Sequence, residues 1–295
     1  MSVALVTMVY NDAFFLEVWL RHYRKYADPK DIYIITHGPQ DYAHVLGAGC
    51  NVIEIPRDPR NPRLDQDRFK YLSTFCAGLT EHYDRVIWND VDEIVVLDPD
   101  HGSDLMGYIN ALPPEQEVVS PFGLEIVHRA DLENDYDYDR PMFAQRRYVR
   151  FNGWYTKPNI ISRPITWGPD GHGSSHGELH LDPHLYTFHL KWFDQNFHIN
   201  RHKDRLKMRF TGDDGEEVIV GAGSWSWSEA TYMIASNHFL RVPILAPEDS
   251  FDYTDDRRSV IESFGPGNHG TGMFKINWRV GGILHHLPER FIGTV

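Results

Sequence analysis

Three acidic residues that follow an apolar run are the part of this sequence best suited to chemistry. Asp90, Asp92 and Glu93 come directly after Val86-Ile87-Trp88, whose length and β-branched content are typical of a buried strand. Carboxylates at a strand end can converge on one hard cation. Mg²⁺ or Mn²⁺ suits such oxygen ligands, especially when a phosphate supplies the remaining oxygens. Without a cation, buried acids repel each other and resist ionisation.

The alternative interpretation of these acids is a turn that caps a helix near residues 103–111. However, a second apolar run, Ile94-Val95-Val96-Leu97, follows them directly. Acids between two buried runs are hard to explain as a solvated surface, because carboxylates are rarely buried without a partner. The sequence therefore predicts a divalent-metal site at Asp90 and Asp92.

The elements that lead to these acids alternate between strands and helices. Apolar runs predict strands at Ser2–Val9, Asp31–Thr36, Val52–Ile55 and Val86–Trp88. One helix is predicted after the first strand, with its N-cap at Asn11 or Asp12, and another from about Leu64 to Tyr83. This order indicates a parallel sheet with crossover connections.

Polar residues follow three of these predicted strands at the point where each strand ends. They are Tyr10 with Asn11, His37, and Asp90 with Asp92. In open parallel sheets, ligands bind at the carboxyl ends of the strands. We therefore expect these side chains to surround one binding site.

The later chain contains further strand patterns, at Glu117–Val127, 143–151, Ile160–Ser162 and Leu185–Leu190. A helix is predicted near Ser103–Leu112, and the acidic segment Asp131–Arg140 is typical of an exposed loop. Between the later strands, Gly171–Glu178 is a glycine-rich polar loop with two histidines. The sheet is therefore expected to continue beyond the acidic residues.

Near residue 200 the predicted elements change from strands to helices. Asp194 is predicted to cap a basic helix that runs to about Phe210, and Ser226-Trp227-Ser228-Glu229 has capping-box spacing and opens another helix. Asp213-Asp214-Gly215 is a turn signal between them. The chain is thus divided into a predicted catalytic domain, residues 1–200, and a smaller, mainly helical C-terminal extension, residues 201–295.

The composition excludes several classes of protein. The chain has 295 residues, of which 41% are hydrophobic and 13% aromatic, so a sizeable core can be buried. The formal net charge of −13 argues against general binding to nucleic acid or to anionic membranes, although it permits a local basic pocket.

The cysteines and the apolar runs indicate the compartment. Only Cys50 and Cys76 are present, and Cys76 falls on the apolar face of a predicted helix. We therefore expect a reduced, cytoplasmic protein without a disulfide framework. Met1 leads directly into a strand pattern, so no signal peptide is expected. No apolar stretch approaches the roughly 20 residues of a transmembrane span.

The acidic motif and the start of the chain resemble a known family. The first strand is followed by Tyr10-Asn11-Asp12, and the next helix carries Glu17, Trp19 and His22. Together with Trp88-Asn89-Asp90-Val91-Asp92-Glu93, this pattern is similar to GT-A glycosyltransferases with an Asp-x-Asp-Glu motif. The closest are the family 2-like bacterial group and the related galactosyltransferase-like group. Later segments match that group in the same order: Phe122-Gly123, Lys157 with Arg163-Pro164, the His172/His176 loop and Phe188-His189-Leu190-Lys191.

The resemblance covers roughly residues 3–205 and departs from the group at two positions. Asp12 stands where the group usually has Glu, and His37 stands where an acid is common. The resemblance implies a GT-A fold, which is a Rossmann-like, mixed and mostly parallel sheet flanked by helices. It also implies transfer of a sugar from a nucleotide-sugar, expected to be a UDP-sugar, to a saccharide or glycoconjugate acceptor during polysaccharide, lipopolysaccharide or glycoconjugate assembly.

Metal chemistry agrees with that reaction, because the departing nucleoside diphosphate develops negative charge that a Lewis acid stabilises. Asp92 is expected to bind Mn²⁺ or Mg²⁺ directly, and Asp90 to contact the ribose or share the metal through water. Glu93 is expected to brace the motif. In the family a late histidine often completes the coordination, and His189 fits that position, although a core histidine is the alternative.

The remaining nucleotide contacts are also carried over from the resemblance. Candidates for the base, the ribose and nearby groups are Tyr10, Asn11, Asp12, His37 and Lys157, and candidates for neutralising the diphosphate are Arg63, Arg68 and Lys191. For Asp12 a plain helix cap remains an alternative, and for each cation a solvated surface charge does.

An inverting transferase also needs a general base for the acceptor hydroxyl, whereas a retaining enzyme does not. Glu178, Asp194 and Glu125 are candidates by region, and we select Glu178 because closure of the glycine-rich loop could carry it into the site. His172 and His176 are expected to line the sugar pocket or supply a metal ligand. Four tryptophans are candidates for stacking on sugars or for the core: Trp154, Trp167, Trp225 and Trp227.

Two rival functions remain open. A metal-dependent phosphohydrolase could use the same acids, but its nucleophile normally follows the first strand, and Asn11-Asp12 does not fit that pattern. A non-catalytic carbohydrate-binding protein that retains the fold is the second rival, and the intact acids at 90 and 92 argue against it.

Overall fold

A computed structural model describes residues 2–58, 60–61, 63–168, 171–206, 210–211, 217–218, 227–267, 272–276 and 279–295. Its strands are β1 (Val3–Val9), β2 (Ile32–His37), β3 (Asn51–Ile55), β4 (Arg85–Trp88), β5 (Glu93–Leu97), β6 (Val118–Val127), β7 (Tyr148–Phe151), β8 (Ile160–Ile161), β9 (Gly173–Ser174), β10 (His180–Trp192), β11 (Phe210–Thr211), β12 (Glu217–Val218), β13 (Gly265–Pro266), β14 (Phe274–Lys275) and β15 (His285–His286).

The α-helices alternate with the strands in the first part of the chain and follow them in the second. They are α1 (Ala13–Tyr23), α2 (Asp41–Leu46), α3 (Leu64–Leu79), α4 (Leu105–Asn110), α5 (Met142–Gln145), α6 (Gln195–Leu206), α7 (Glu229–His238) and α8 (Thr254–Ser263). Within the described ranges, none of these helices combines the length and the apolar composition needed to cross a bilayer.

The central sheet is mixed. Its strand order is β15-β7-β6-β8-β4-β1-β2-β3, and β10 pairs with both β5 and β6. The strands β3, β2, β1 and β4 are parallel to one another, and β10 is parallel to β6. The remaining pairs of this sheet are antiparallel. The predicted fold class, a Rossmann-like α/β sheet flanked by helices, is confirmed. Because β2, β1 and β4 are parallel neighbours, their carboxyl ends meet at one edge, which we call the carboxyl edge.

Every side chain of β1 is buried, because the strand lies inside the sheet between β4 and β2. Alternate residues point to opposite faces of a strand. Val3 and Leu5 therefore pack on one face with Trp19 of α1, whereas Ala4 and Val6 pack on the other face with α3. Cys76 is buried on the inner side of α3, as predicted.

Several local predictions were wrong because short elements give weak periodic signals. The helix α2 lies between β2 and β3, where no helix was predicted. The helix α5 occupies the start of the predicted strand 143–151, so β7 begins only at Tyr148. The helix near residue 105 is capped by Asp104, whose carboxylate accepts a hydrogen bond from the Gly107 amide at 2.9 Å. The acids at 90–93 therefore do not cap it, and the alternative of a capping turn is wrong.

The predicted caps of the later helices are partly confirmed. Asp194 accepts a hydrogen bond from the Phe197 amide at 2.8 Å and so caps α6. Ser228 caps α7 by accepting from the Thr231 amide at 3.1 Å, while Ser226 lies outside the described residues. Residues 207–209 and the predicted turn at 213–215 are also outside them.

The described part of the C-terminal segment packs onto the central sheet. The strand β15 pairs with β7, and Phe291 and Val295 belong to the same apolar cluster as Phe15 of α1. A smaller cluster joins Tyr232 and Phe239 to the end of β6 and β10. The division into two domains near residue 200 stays a prediction.

Gly123 of β6 offers a test of how closely the chain packs beneath the candidate site. A Cβ atom at this position would lie 2.5 Å from the Thr156 amide nitrogen and 2.6 Å from the Asn152 carbonyl oxygen. We expect Gly123→Ala to lower the free energy of unfolding by about 1–3 kcal/mol, because backbone atoms must move. Urea unfolding measures this loss.

Gly78 of α3 provides the matched control for Gly123, because a Cβ atom there meets no atom within 4 Å. Gly78→Ala is expected to raise stability by up to about 1 kcal/mol, since alanine favours a helix. Equal effects of the two substitutions would show that the packing around Gly123 does not decide the outcome.

Candidate functional site

The turn between β4 and β5, which carries the acidic residues, is organised by the buried side chain of Asn89. Its amide nitrogen donates to the Tyr23 hydroxyl at 3.1 Å, and its amide oxygen accepts from the Trp19 indole at 3.4 Å. The Thr7 hydroxyl donates to the Asn89 carbonyl at 3.0 Å. The Tyr23 hydroxyl also accepts from the Val95 amide at 2.9 Å. Buried hydrogen bonds from the inner face of α1 therefore fix the acidic turn.

Asp90 and Glu93 share one buried ammonium group. Lys157 Nζ lies 2.9 Å from Asp90 Oδ2 and 2.7 Å from Glu93 Oε1. Arg68 Nη1 approaches the other Asp90 oxygen at 4.0 Å. Burial opposes ionisation of Asp90, but Lys157 and Arg68 outweigh it and lower its pKa. Burial raises the pKa of Glu93 to about 8, because Lys157 compensates only part of the desolvation.

Asp92 is held on the other side of the turn by Arg201 of α6. Arg201 Nη1 donates to Asp92 Oδ2 at 3.1 Å, and its second terminal nitrogen donates to Asp12. Asp12 occupies the N-cap position of α1 without a side-chain capping bond. The alternative of a plain helix cap for Asp12 is therefore wrong, and its carboxylate belongs to the candidate site.

His189 of β10 faces Asp92 across the end of the sheet. It is paired in register with Glu93 of β5 and with Glu125 of β6. Its Nδ1 lies 3.2 Å from Glu125 Oε1, and its Nε2 lies 3.9 Å from Asp92 Oδ2. The ring of Tyr155 stacks on the imidazole with 3.8 Å between centroids. Strand register thus brings a histidine and an aspartate together from distant parts of the sequence.

The protonation of His189 follows from its neighbours. Burial lowers the pKa of His189, although Glu125 and Asp92 oppose this effect, so the imidazole is neutral at pH 7. Because Nδ1 faces a carboxylate, it carries the proton and Nε2 presents its lone pair to Asp92. Burial also raises the pKa of Glu125, but Arg150 at 2.6 Å and His189 outweigh it and lower the value to about 2.

This arrangement fits a divalent metal ion at Asp92 and His189. A carboxylate that orients a histidine so that its other nitrogen faces a ligand is the usual surrounding of a metal-binding imidazole. Asp90 does not join this pair, because Lys157 and Arg68 hold it on the other side of the turn. In the described part of the chain, the one trio of His, Cys, Asp or Glu with mutually close ligand atoms lies elsewhere, at His176, Glu178 and His180. The predicted set of Asp90, Asp92 and His189 is therefore not assembled.

Cationic and aromatic side chains surround the ends of β1, β2 and β3. The guanidinium of Arg57 stacks on the Tyr10 ring at 3.8 Å. Burial, together with the nearby charges of Arg57 and Arg68, lowers the pKa of His37 to about 4, so His37 is neutral at pH 7. Asn11 adopts a left-handed conformation with φ of 50°, which is uncommon outside glycine and frequent at functional sites.

A cavity of about 580 Å³ opens beside Asp12 and Arg201. Its size is that of a pocket for a small organic ligand. Aromatic, amide and acidic groups dominate the lining, which consists of Tyr10, Asn11, Asp12, Ala13, Phe14, Tyr42, Asp135, Tyr136, Tyr138, Asp194, Asn196, Phe197, Asn200, Arg201 and Asp204. Residues 135–138 come from the segment predicted as an exposed loop, so part of that loop forms a wall of the cavity.

Two of the predicted diphosphate cations have other partners in the structure. Arg63 is exposed and pairs with Asp67 at 3.3 Å. Lys191 lies over the rings of Trp192 and Tyr232, at 5.2 and 5.7 Å from their centroids.

Glu178 lies near the opposite end of β10 from His189. His180 pairs with Val119 and His189 with Glu125, so the two histidines are separated along β6 by about 20 Å. Closure of the short glycine-rich loop cannot span that distance. The prediction of Glu178 as the general base is therefore wrong in its placement.

The other predicted bases and aromatic residues have structural partners. Asp194 lines the cavity but pairs with Arg146 at 3.0 Å, and Glu125 is buried behind His189. Trp167 packs against Trp88 in the core. His172 bonds to the Trp154 carbonyl near Tyr155. Trp225 lies outside the described residues.

Arg57, Tyr155 and Arg201 are site residues that the sequence did not reveal. Arg57 belongs to a basic segment between β3 and α3, but no spacing in the sequence connects it to Tyr10. Arg201 was noted only as one of several cations on a helix. It is 109 positions from Asp92, so no local pattern relates the two.

Comparison with known proteins adds no assignment, since no protein-family model matches the sequence and no curated protein matches it either. The function must therefore be argued from the candidate site.

The burial of Glu93 predicts an unusual pH dependence. The ordinary pKa of Glu93 is 4.5 and its folded value is about 8, so the folded state binds a proton that the unfolded state releases between these values. Stability due to Glu93 is therefore lost as pH rises from about 4.5 to 8. We expect Glu93→Gln, which mimics the protonated acid, to be more stable than the wild type at pH 9 by at least about 1 kcal/mol.

Guanidinium unfolding at pH 5, 7 and 9 measures this difference. Glu54→Gln is the control, because Glu54 is exposed on β3 and should leave the pH profile unchanged. An unchanged profile for Glu93→Gln would contradict the raised pKa of Glu93.

Proposed function

We propose that the protein is a metal-dependent glycosyltransferase that moves a sugar from a nucleotide-sugar, expected to be a UDP-sugar, to a hydroxyl of a saccharide or glycoconjugate. The observation that carries the proposal is the pairing of Asp92 Oδ2 with His189 Nε2 at 3.9 Å, with Glu125 behind the imidazole. This pair lies at the carboxyl edge of a Rossmann-like sheet, where such folds bind nucleotides.

Asp92 and His189 would hold the Mn²⁺ or Mg²⁺ ion. When bound, the ion supplies Lewis-acid stabilisation of the leaving diphosphate. Glu125 keeps the proton on His189 Nδ1, and Arg150 keeps Glu125 ionised. Arg201 contacts Asp92 and Asp12 together and balances part of their negative charge.

The cations near β2 and β3 are suited to an anionic donor. Arg57 and Arg68 lie close to the neutral His37, and guanidinium groups bind phosphate oxygens through paired hydrogen bonds. Since the pKa of Lys157 is raised by Asp90 and Glu93 despite its burial, its charge is permanent at pH 7. The donor diphosphate would therefore meet the positive charge of Arg57 and Arg68.

The cavity beside Asp12 supports an oligosaccharide or sugar ligand. Aromatic rings such as Tyr136 and Phe197 offer apolar faces for sugar rings, and the amides of Asn11 and Asn200 offer hydrogen bonds to hydroxyl groups. In the proposed reaction the acceptor oxygen forms a bond to the anomeric carbon of the donor. The bond from that carbon to the diphosphate breaks, and the hydroxyl proton passes to a base.

One observation favours a second candidate function. Each acid of the motif already has a cationic partner within the chain, Lys157 for Asp90 and Arg201 for Asp92. A non-catalytic carbohydrate-binding protein that retains the fold would need no metal, and these ion pairs would then be permanent. The test of function must therefore measure nucleotide binding with and without metal.

The expected location of this activity is the cytoplasm. Cys50 and Cys76 are both free, and Cys76 is buried, as in a reducing compartment. We assign the activity to polysaccharide or glycoconjugate assembly in a bacterium, in line with the resemblance of the acidic motif.

Asp92 is the residue whose replacement tests the proposal most directly. We expect wild-type protein with Mn²⁺ to be stabilised by one nucleotide-sugar in a thermal-shift screen, and to release its nucleoside diphosphate when a saccharide acceptor is added. Asp92→Ala should abolish this release while the protein stays folded, because the metal loses its carboxylate ligand.

Asp249→Ala is the matched control, since Asp249 is an exposed acid far along the chain. Metal-independent saccharide binding without any nucleotide binding would support the binding-protein alternative. Release of phosphate from simple phosphate esters would favour a phosphohydrolase. Near wild-type turnover of Asp92→Ala would overturn the site assignment.

Glu125 tests the orientation of His189. Glu125→Gln removes the charge that fixes the Nδ1–H tautomer, and changes of this kind weaken metal binding by about 10–100-fold. Calorimetric titration with Mn²⁺ measures the affinity, and circular dichroism checks that the variant is folded. Glu133→Gln is the control, because Glu133 also accepts backbone hydrogen bonds but lies outside the candidate site. Equal Mn²⁺ affinity in wild type and Glu125→Gln would contradict His189 as a ligand.

A further inference from the structure

A second group of potential metal ligands lies where the chain enters β10. His176, Glu178 and His180 are spaced two residues apart, in the segment that leads into β10 and at its first residue. One ligand atom from each of them lies within 4.8 Å of the other two. His180 Nε2 and Glu178 Oε2 are 3.5 Å apart.

These separations are close to those of a bound zinc ion. In a tetrahedral site with bonds of about 2.1 Å, neighbouring ligand atoms are roughly 3.4 Å apart. Small rotations of the three side chains are therefore sufficient to form the site. The backbone can stay in place during such rotations.

Each of the two histidines also has a buried ring nitrogen that makes no hydrogen bond among the described residues. In both His176 and His180 this atom is Nε2. A buried nitrogen without a partner loses the free energy of hydration that it had in the unfolded chain. A metal ion between the two imidazoles and the carboxylate would satisfy both atoms at once.

Contacts at Gly177 and at the His176 amide hold the segment in place. A Cβ atom at Gly177 would lie 3.3 Å from the ring of Phe274, so the chain packs closely there. The His176 amide donates to Ser174 Oγ at 3.3 Å, and β9 pairs with β14 through Ser174 and Phe274. These contacts involve Gly177 and the backbone of His176, and they leave the three ligand side chains free of this packing.

The charges around the three side chains suit a bound cation. Glu117 lies nearby and is paired with Arg163 at 2.7 Å, so one extra carboxylate and one guanidinium balance each other close to the site. Glu178 supplies a negative charge that faces solvent.

We propose that His176, Glu178 and His180 form a separate site for Zn²⁺, or for a transition metal of similar preference. Two imidazoles and one carboxylate are a common zinc ligand set, whereas Mg²⁺ and Mn²⁺ prefer oxygen. Three protein ligands leave a fourth position for water or another ligand. The site does not depend on the proposed transferase function, because it lies about 20 Å along β6 from Asp92 and His189.

The test is a metal titration of the full chain after removal of metals with a chelator. We expect one equivalent of Zn²⁺ to bind in calorimetry, and Co²⁺ to give the visible absorption of a tetrahedral or five-coordinate site with nitrogen ligands. His176→Ala and His180→Ala should each weaken Zn²⁺ binding by at least about 100-fold, and Glu178→Ala by about 10-fold or more.

Two controls separate this site from other histidines. His44→Ala changes an exposed histidine of α2 and should bind Zn²⁺ like the wild type. His189→Ala removes the imidazole near Asp92 and should retain the same Zn²⁺ and Co²⁺ signals. The proposal is overturned if the wild type binds no Zn²⁺, or if binding is lost in His189→Ala and kept in His176→Ala and His180→Ala.

Discussion

Four carboxyl groups lie at one edge of the sheet, and their mutual repulsion has to be balanced by cations from distant parts of the chain. Lys157 serves Asp90 and Glu93, while Arg201 serves Asp12 and Asp92. Removal of either cation would leave buried negative charges without a partner, which is more costly than the pair itself is stabilising. The position of β8 and of α6 relative to the acidic turn is therefore set by charge as well as by apolar packing.

The two ion-pair groups differ in how accessible their acids are to a metal ion. Lys157 is fully buried and contacts two acids, so a cation from solution has little access to Asp90 and Glu93. Arg201 sits at the wall of the cavity, and Asp92 also faces the neutral nitrogen of His189. A guanidinium and a divalent ion cannot both occupy the same carboxylate without repulsion. Metal binding at Asp92 and the position of Arg201 would therefore be coupled, in the sense that each disfavours the other.

Local patterns in the sequence were sufficient for the parts of the fold that depend on local chemistry. The buried strands β1, β2 and β4 are continuous apolar runs, and the inner face of α1 shows helical spacing of Trp19 and Tyr23. From these runs the sheet, its parallel half and the position of the acids at the carboxyl edge could be predicted. The support that Trp19 and Tyr23 give to Asn89 could not, because an aromatic stripe looks the same whether or not it bonds to a polar turn.

The rest of the site depends on strand register and on contacts between distant residues. His189 reaches Asp92 because β10 pairs with β5 and β6 at one particular register, and a shift of one residue would turn its ring to the other face. Glu178 was assigned to the same site because loop closure was assumed without knowledge of that register. Arg201 has its partner, Asp92, 109 positions away, so nothing near it in the sequence marks it out. Lys157 was a candidate nucleotide contact from the resemblance, but its ion pair with Asp90, 67 positions away, was not predicted.

Strand β10 carries a histidine near each end, and the two ends offer different chemistry. At one end Asp92 and the single imidazole of His189 lie 3.9 Å apart, with Glu125 behind the ring, which is a setting for a hard ion that takes further oxygen ligands from a substrate. At the other end two imidazoles and a carboxylate converge, which favours a softer ion with nitrogen ligands. Because affinity for first-row metals generally increases towards copper and zinc, the oxygen-rich end can be selective for Mn²⁺ or Mg²⁺ only through geometry and metal supply.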